Sequence, residues 1–101
     1  MNANTTINIT SDLTGETGAI VLNQLAEFGA GGYTLTIKPS GAARTISGAA
    51  PATGGLLGFN STDRVSIDGS LSGGTDRSLT IAPSNAANNG GGIYFASGLN
   101  G

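Results

Sequence analysis

Six carboxylates are the side chains of this 101-residue sequence best suited to chemistry, because histidine and cysteine are absent. Their absence excludes a Ser-His-Asp triad, a thiol nucleophile, a disulfide and a zinc site of the usual kind. Two carboxylates about 5–10 Å apart in a groove could still hydrolyse a glycosidic bond. The acidic residues are Asp12, Glu16, Glu27, Asp63, Asp68 and Asp76.

Asp68 is the best placed of these acids, because it ends an alternating segment and shares a strand face with Ser66. Its counterpart in the neighbouring similar segment is Ser47, so stacking of the two segments supplies no second acid. The Asp68-Gly69 pair is instead typical of a turn. We therefore predict no catalytic residues and no enzyme activity.

Calcium binding would have to use Asp63, Asp68 and Asp76, since Ca²⁺ prefers several oxygen ligands. Their spacing matches neither an EF-hand loop nor the Gly-Gly-x-Gly-x-Asp repeat. The Gly-rich run at 88–92 precedes an apolar strand-like segment rather than a helix, so it is a loop and not a phosphate cradle. The sequence therefore indicates no metal and no cofactor.

The low charge of the chain limits its partners. Four Lys and Arg residues against six acids leave a net charge of −2, which excludes a basic nucleic-acid binder. No apolar run approaches the roughly 18–20 residues of a membrane helix, so we expect no membrane insertion. The start of the sequence lacks the basic and apolar regions of a secretory signal. We interpret residues 1–101 as one domain cut from a longer protein.

Short segments alternate between apolar and polar residues, as half-buried β-strands do. Turns rich in Gly, Pro, Asn and Asp separate them. Apolar bursts at Leu56–Phe59 and Ile93–Phe95 add two further candidate strands. Residues 18–28 fit either a short strand followed by a loop or a capping helix, and we favour the strand. The clearest alternating segments are Thr6–Thr10, Thr34–Lys38, Thr45–Gly48, Arg64–Asp68 and Ser78–Ile81.

Internal repeats indicate a solenoid rather than a compact sandwich. Leu35–Ala43 recurs as Leu79–Ala87 with seven of nine residues identical, and Thr45–Gly48 resembles Ser66–Gly69. We therefore predict an all-β parallel β-solenoid of about four coils, each roughly 21–26 residues long. A small antiparallel sandwich or barrel is the alternative that regular strand spacing leaves open.

Three stretches carry a family resemblance: Tyr33–Pro39 leading to Thr45–Gly48, Gly55–Ser70, and Arg77–Ile81. Their progression resembles that of secreted bacterial right-handed parallel β-helix proteins with pectin-lyase-like coils, which are frequent in Bacteroidetes. The sequence departs from the family pattern at Gly58–Thr62. The resemblance implies right-handed coils and an extracellular or cell-surface parent protein, and it specifies the fold far better than the function.

The predicted solenoid has two candidate functions. Its open ends would expose sheet edges and an apolar cross-section, which favours a structural or adhesive module that associates with itself by coil stacking into oligomers or filaments. The alternative is a carbohydrate- or ice-binding module that uses an outward polar face. The candidate residues of that face are Thr34, Thr36, Ser66, Thr80 and Tyr94.

Overall fold

The computed structural model describes residues 1–51, 54–84 and 91–96. Nine short β-strands form in this part of the chain, and no helix does. The strands are β1 (Thr5–Ile9), β2 (Leu13–Glu16), β3 (Leu22–Asn23), β4 (Leu35–Pro39), β5 (Arg44–Gly48), β6 (Gly55–Asn60), β7 (Val65–Ile67), β8 (Leu79–Pro83) and β9 (Gly91–Phe95).

The strands form three sheets of three parallel strands each, in the orders β1-β4-β7, β2-β5-β8 and β3-β6-β9. The chain therefore visits the three sheets in turn, and we call each set of three consecutive strands a row. The predicted all-β class is confirmed, and the arrangement is consistent with a parallel β-solenoid. Because every described strand pair is parallel, the antiparallel sandwich is excluded for the described residues.

The spacing of the rows differs from the prediction. Leu35 pairs with Val65, which is 30 residues further on, and Leu22 pairs with Phe59, which is 37 residues further on. The predicted coil length of 21–26 residues is therefore wrong. Each row holds three strands and their connections, and the described residues form three rows where about four coils were predicted.

The internal repeats do not mark the stacking period. The two copies that begin at Leu35 and Leu79 form β4 and β8, which lie in different sheets. The segments that begin at Thr45 and Ser66 form β5 and β7, which also lie in different sheets. These segments therefore resemble one another because each is a strand with inward Leu or Ile and outward Thr or Ser that is followed by a turn. Residues 85–87 of the second copy lie outside the described residues.

In the first forty residues, β2 is a strand that the sequence did not predict, and β3 bears on the segment that had two interpretations. β2 was not predicted, because Leu13–Glu16 lacks clean alternation, contains Gly15 at a φ of 75°, and pairs with β5 through a register shift. β3 supports the strand interpretation of residues 18–28, in which the structure shows no helix. Gly91 and Gly92 belong to β9 rather than to the predicted loop, whose other residues, 88–90, lie outside the described part.

The core sits mainly at the second row. Ile37 of β4 and Ile46 of β5 are buried, whereas the apolar residues of the outer rows that pack against this cluster are only partly buried, apart from the buried Ile9. A middle row is covered from both sides, while each outer row has one neighbour. The buried cluster comprises Ile9, Ile37, Ile46, Ala50, Leu56 and Phe59.

Gly48 is a position where the sheet spacing leaves no room for a side chain. Its φ is 153°, and a Cβ there would lie 1.9 Å from the carbonyl oxygen of Glu16 in β2. We expect Gly48→Ala to lower the free energy of unfolding by about 3 kcal/mol, because the obstacle is backbone. Gly69→Ala is the matched control, since no atom lies within 4 Å of a Cβ at Gly69. Urea denaturation should show a change within about 0.5 kcal/mol for the control. Equal losses in both variants would contradict the close approach of β2 and β5.

Candidate functional site

The first-row end of the stack exposes side chains of the apolar interior. Ile7 and Leu13, from β1 and β2, are partly exposed, and Ile20, just before β3, is 89% exposed. Beside them lies a cavity of about 320 Å³ whose walls are apolar. Its lining residues are Ile7, Ile9, Leu13, Ile20, Val21, Leu22, Ile37, Ile46, Leu56, Leu57, Gly58 and Phe59.

The third-row end carries a matching apolar surface. Ile93 and Tyr94 of β9 are each 40% exposed, and Phe95 is 63% exposed. Phe95 stacks on Phe59 of the second row, with ring centroids 5.5 Å apart and planes 23° from parallel. Such offset aromatic pairs are favourable beyond the area that they bury. The stack leaves Phe95 largely open to a further partner.

Open ends were predicted from the solenoid pattern, but the residues that form them were not. The signal lies in the first and last apolar strand segments, whose inward side chains have a neighbouring row on one side only. Ile7 and Phe95 belong to such segments. Ile20 falls within residues 18–28, for which the sequence favours a short strand, but it lies before β3.

Three of the five candidate outward residues lie together on the β1-β4-β7 sheet. Thr36 pairs with Ser66 in β7, and with Thr6 in β1, so three hydroxyl side chains follow one another across the sheet. Thr34 immediately precedes β4, and its N–H donates to Asn4 Oδ1 at 3.0 Å. Thr6, Thr36 and Ser66 form a short polar ladder that crosses all three strands of the sheet.

The other two candidates lie on different sheets. Thr80 in β8 pairs with Thr45 in β5, and Tyr94 in β9 pairs with Gly58 in β6. A single flat ligand on the β1-β4-β7 sheet would therefore not reach Thr80 or Tyr94. The five residues do not form one surface.

Asp68 closes a turn after β7. The Ser70 hydroxyl and the Ser70 N–H donate to Asp68 Oδ1 at 2.7 and 2.9 Å. The Lys38 ammonium lies 3.9 Å from the other carboxylate oxygen. These contacts hold the pKa of Asp68 below its ordinary value, and the Ser70 hydroxyl is the main cause. The carboxylate is therefore engaged in holding the turn.

Asp76 has the same role on the far side of that loop. The Ser78 hydroxyl donates to it, and the Leu71 N–H donates to the same oxygen at 3.0 Å. The Ser78 hydroxyl is the main cause that lowers the pKa of Asp76. Both aspartates thus fix the connection between β7 and β8.

Glu27 anchors the connection between β3 and β4. Its two carboxylate oxygens accept the N–H groups of Gly32 and Tyr33, each at 3.0 Å. Arg64 lies 3.3 Å from Glu27 and 3.4 Å from Asp63. The Gly32 N–H is the main cause that lowers the pKa of Glu27. The Glu27 carboxylate therefore links the loop between β3 and β4 to Arg64, which immediately precedes β7.

Acid should weaken the fold through these carboxylates. A group whose pKa is lowered by folding stabilises the fold fully above its ordinary pKa of about 4 and loses that effect as the pH falls through the folded pKa. We expect Glu27→Gln to lower stability at neutral pH and to make the loss between about pH 5 and pH 2 shallower. Thermal unfolding across this pH range provides the measurement.

Glu16→Gln is the matched control for that experiment, because the Glu16 carboxylate accepts no hydrogen bond from a described residue. At neutral pH its free energy of unfolding should lie closer to that of the unsubstituted chain than the value for Glu27→Gln does. Equal losses of stability in the two variants would contradict the anchoring role of Glu27.

Acidic side chains do not cluster as metal ligands in the described residues. Within residues 1–51, 54–84 and 91–96, no three acidic side chains gather as a metal site would require. The same part of the chain holds no helix long and apolar enough to cross a membrane. Comparisons of the chain with protein-family models, with curated proteins and with solved structures found no match.

Proposed function

We propose that this chain is a rigid structural or adhesive module of an extracellular or cell-surface protein, and that copies of it associate end to end into oligomers or filaments. The observation that carries the proposal is the exposure of apolar interior side chains at both ends of the stack. Ile7, Leu13 and Ile20 lie at the first-row end, and Ile93 and Phe95 lie at the third-row end.

The number of coils and their handedness are part of the same proposal. We take the three rows as three coils of a right-handed β-helix, because connections between parallel strands of one sheet are nearly always right-handed. This handedness agrees with the resemblance to secreted bacterial β-helix proteins. In a longer protein of that kind, further coils would cover the two ends. Another copy of the chain offers the same kind of cover.

The backbone and the charge of the chain both favour association. The outer strands of a sheet present unpaired N–H and C=O groups, which pair readily with another strand. Natural solenoids prevent this with polar capping repeats. The net charge of −2 and the 10% content of charged residues provide little mutual repulsion between copies.

A charge at the third-row end should weaken association. We expect Phe95→Lys to raise the apparent dissociation constant at least about tenfold, because burial of a Phe side chain contributes about 1.5–3 kcal/mol. Phe28→Lys is the matched control, since Phe28 is 65% exposed, close to the 63% of Phe95, but lies in the loop between β3 and β4. Sedimentation velocity at several concentrations, with electron microscopy of the densest samples, provides the measurement. A strictly monomeric chain at high concentration would refute the proposal.

A binding function is the second candidate, and the Thr6-Thr36-Ser66 ladder favours it. Regular hydroxyls on a flat sheet could contact a carbohydrate or an ice surface. A glycan array and a thermal-hysteresis assay test the two ligands, and a signal that Thr36→Val abolishes would support this function. Incubation with acidic polysaccharides tests for catalysis, which we do not propose.

A further inference from the structure

The register of the strands continues unchanged from one row to the next in the β1-β4-β7 sheet. Ile7 pairs with Ile37, which pairs with Ile67, so the same inward position is Ile in all three rows. The outward position before it runs Thr6, Thr36 and Ser66. The three strands of this sheet therefore repeat one pattern, an outward hydroxyl residue followed by an inward Ile. The outer strands β1 and β7 carry the same pattern at equivalent positions.

The other two sheets show the same continuity at their inward positions. In the β2-β5-β8 sheet, Leu13 pairs with Ile46, which pairs with Ile81. In the β3-β6-β9 sheet, Leu22 pairs with Phe59, which pairs with Phe95. Each of the three outer positions at the third-row end thus carries a large apolar side chain.

One backbone hydrogen bond recurs between rows. The residue that follows a paired position donates its N–H to the carbonyl of the partner one row below. Asp68 donates to Ile37 O at 2.9 Å, and Ala96 donates to Phe59 O at 2.8 Å. The carbonyls of Ile67 and Phe95 hold the equivalent places on the third row. Continuation of the pattern would pair them with the N–H groups of Asn8 and Asn23 of a further row.

We infer that the third-row end of one copy binds the first-row end of a second copy in this same register, with β1, β2 and β3 of the second copy laid on β7, β8 and β9 of the first. This inference rests on the proposed function and specifies its interface. Ile67 then meets Ile7, Ile81 meets Leu13, and Phe95 meets Leu22 of the second copy.

The chemistry of the facing side chains suits this arrangement. Apolar side chains meet apolar side chains at all three inward positions, and the Leu22 that Phe95 meets lines the first-row cavity. On the outer face of the first sheet, the position after Ile67 is Asp68 and its partner in the second copy is Asn8. An amide can donate to a carboxylate, so no like charges face each other there.

Head-to-tail contacts of this kind do not close on themselves. The interface joins two different surfaces, so each added copy presents a fresh third-row end and a filament grows. Strand rows lie about 4.8 Å apart, so each copy of three rows adds about 14 Å to the filament. The strands run across the filament axis.

A pair of engineered cysteines can detect this register, because the chain has no cysteine of its own. Thr6 and Ser66 of one copy are two row spacings apart, about 9.6 Å, which exceeds the reach of a disulfide. Across the inferred interface the same two positions are one row spacing apart, about 4.8 Å, which a disulfide spans. We expect T6C/S66C to form linear disulfide-linked oligomers longer than dimers under mild oxidation.

Three control variants fix the interpretation. T36C/S66C places the two cysteines in paired positions of one copy, so it should close an intramolecular disulfide. T6C alone and S66C alone should remain largely uncrosslinked, because two first-row ends, or two third-row ends, do not meet. Non-reducing gels and intact mass provide the measurements, and sedimentation of each reduced protein reports association independently.

Each other outcome is informative. Dimers from T6C alone or S66C alone would show that like ends meet, which overturns the inferred register and leaves the proposed self-association in place. If sedimentation shows association but T6C/S66C forms no disulfide-linked oligomers, the inferred register is likewise overturned and the proposed self-association stays in place. Failure of T36C/S66C to close would overturn the sheet register from which the inference starts. A monomer at every concentration would overturn the inference together with the proposed function.

Discussion

Stacking between rows is the interaction on which this structure depends. One row alone is a thin loop of three short strands that cannot bury its inward side chains, so burial comes from the rows on either side. Ile46 of the second row has neighbours above and below and is 2% exposed. Phe95 of the third row has a neighbour on one side and remains largely exposed. The exposed ends therefore follow from the same rule that builds the core.

Three of the acidic residues hold the connections between strands in place. Glu27, Asp68 and Asp76 each accept backbone or hydroxyl hydrogen bonds within or next to a connecting loop. A chain that changes direction after every few residues needs many such fixed loops, and its small and polar residues supply them. The carboxylates of Glu27, Asp68 and Asp76 are thus engaged in local contacts that fix these loops.

The strands that alternate cleanly could be predicted from the sequence, because inward Ile and Leu with outward Thr and Ser define a half-buried strand locally. The coil length could not. Leu35 and Leu79 begin nearly identical segments, yet β4 pairs with β7 and β8 pairs with β5. Similar strands occur in different sheets because each sheet imposes the same local demands. β2 escaped prediction since its register shift depends on the approach of Gly48, which is a tertiary contact.

In the proposed association, the choice of which outer strands pair between two copies has to come from strand register and shape. Charge contributes little to this choice, because the chain has few charged residues. Edge strands are commonly protected by charged side chains, bulges or proline. The third-row end has Pro83, which lacks an N–H, at the close of β8, whereas β7 and β9 contain no proline. The first-row end has the irregular β2. Both protective features fall in the β2-β5-β8 sheet. In the proposed end-to-end association, the other two sheets would therefore determine which outer strands pair between copies. Those two sheets carry the Ile67 and Phe95 positions, where a slip by one residue would move an apolar side chain from the interior to the outer face.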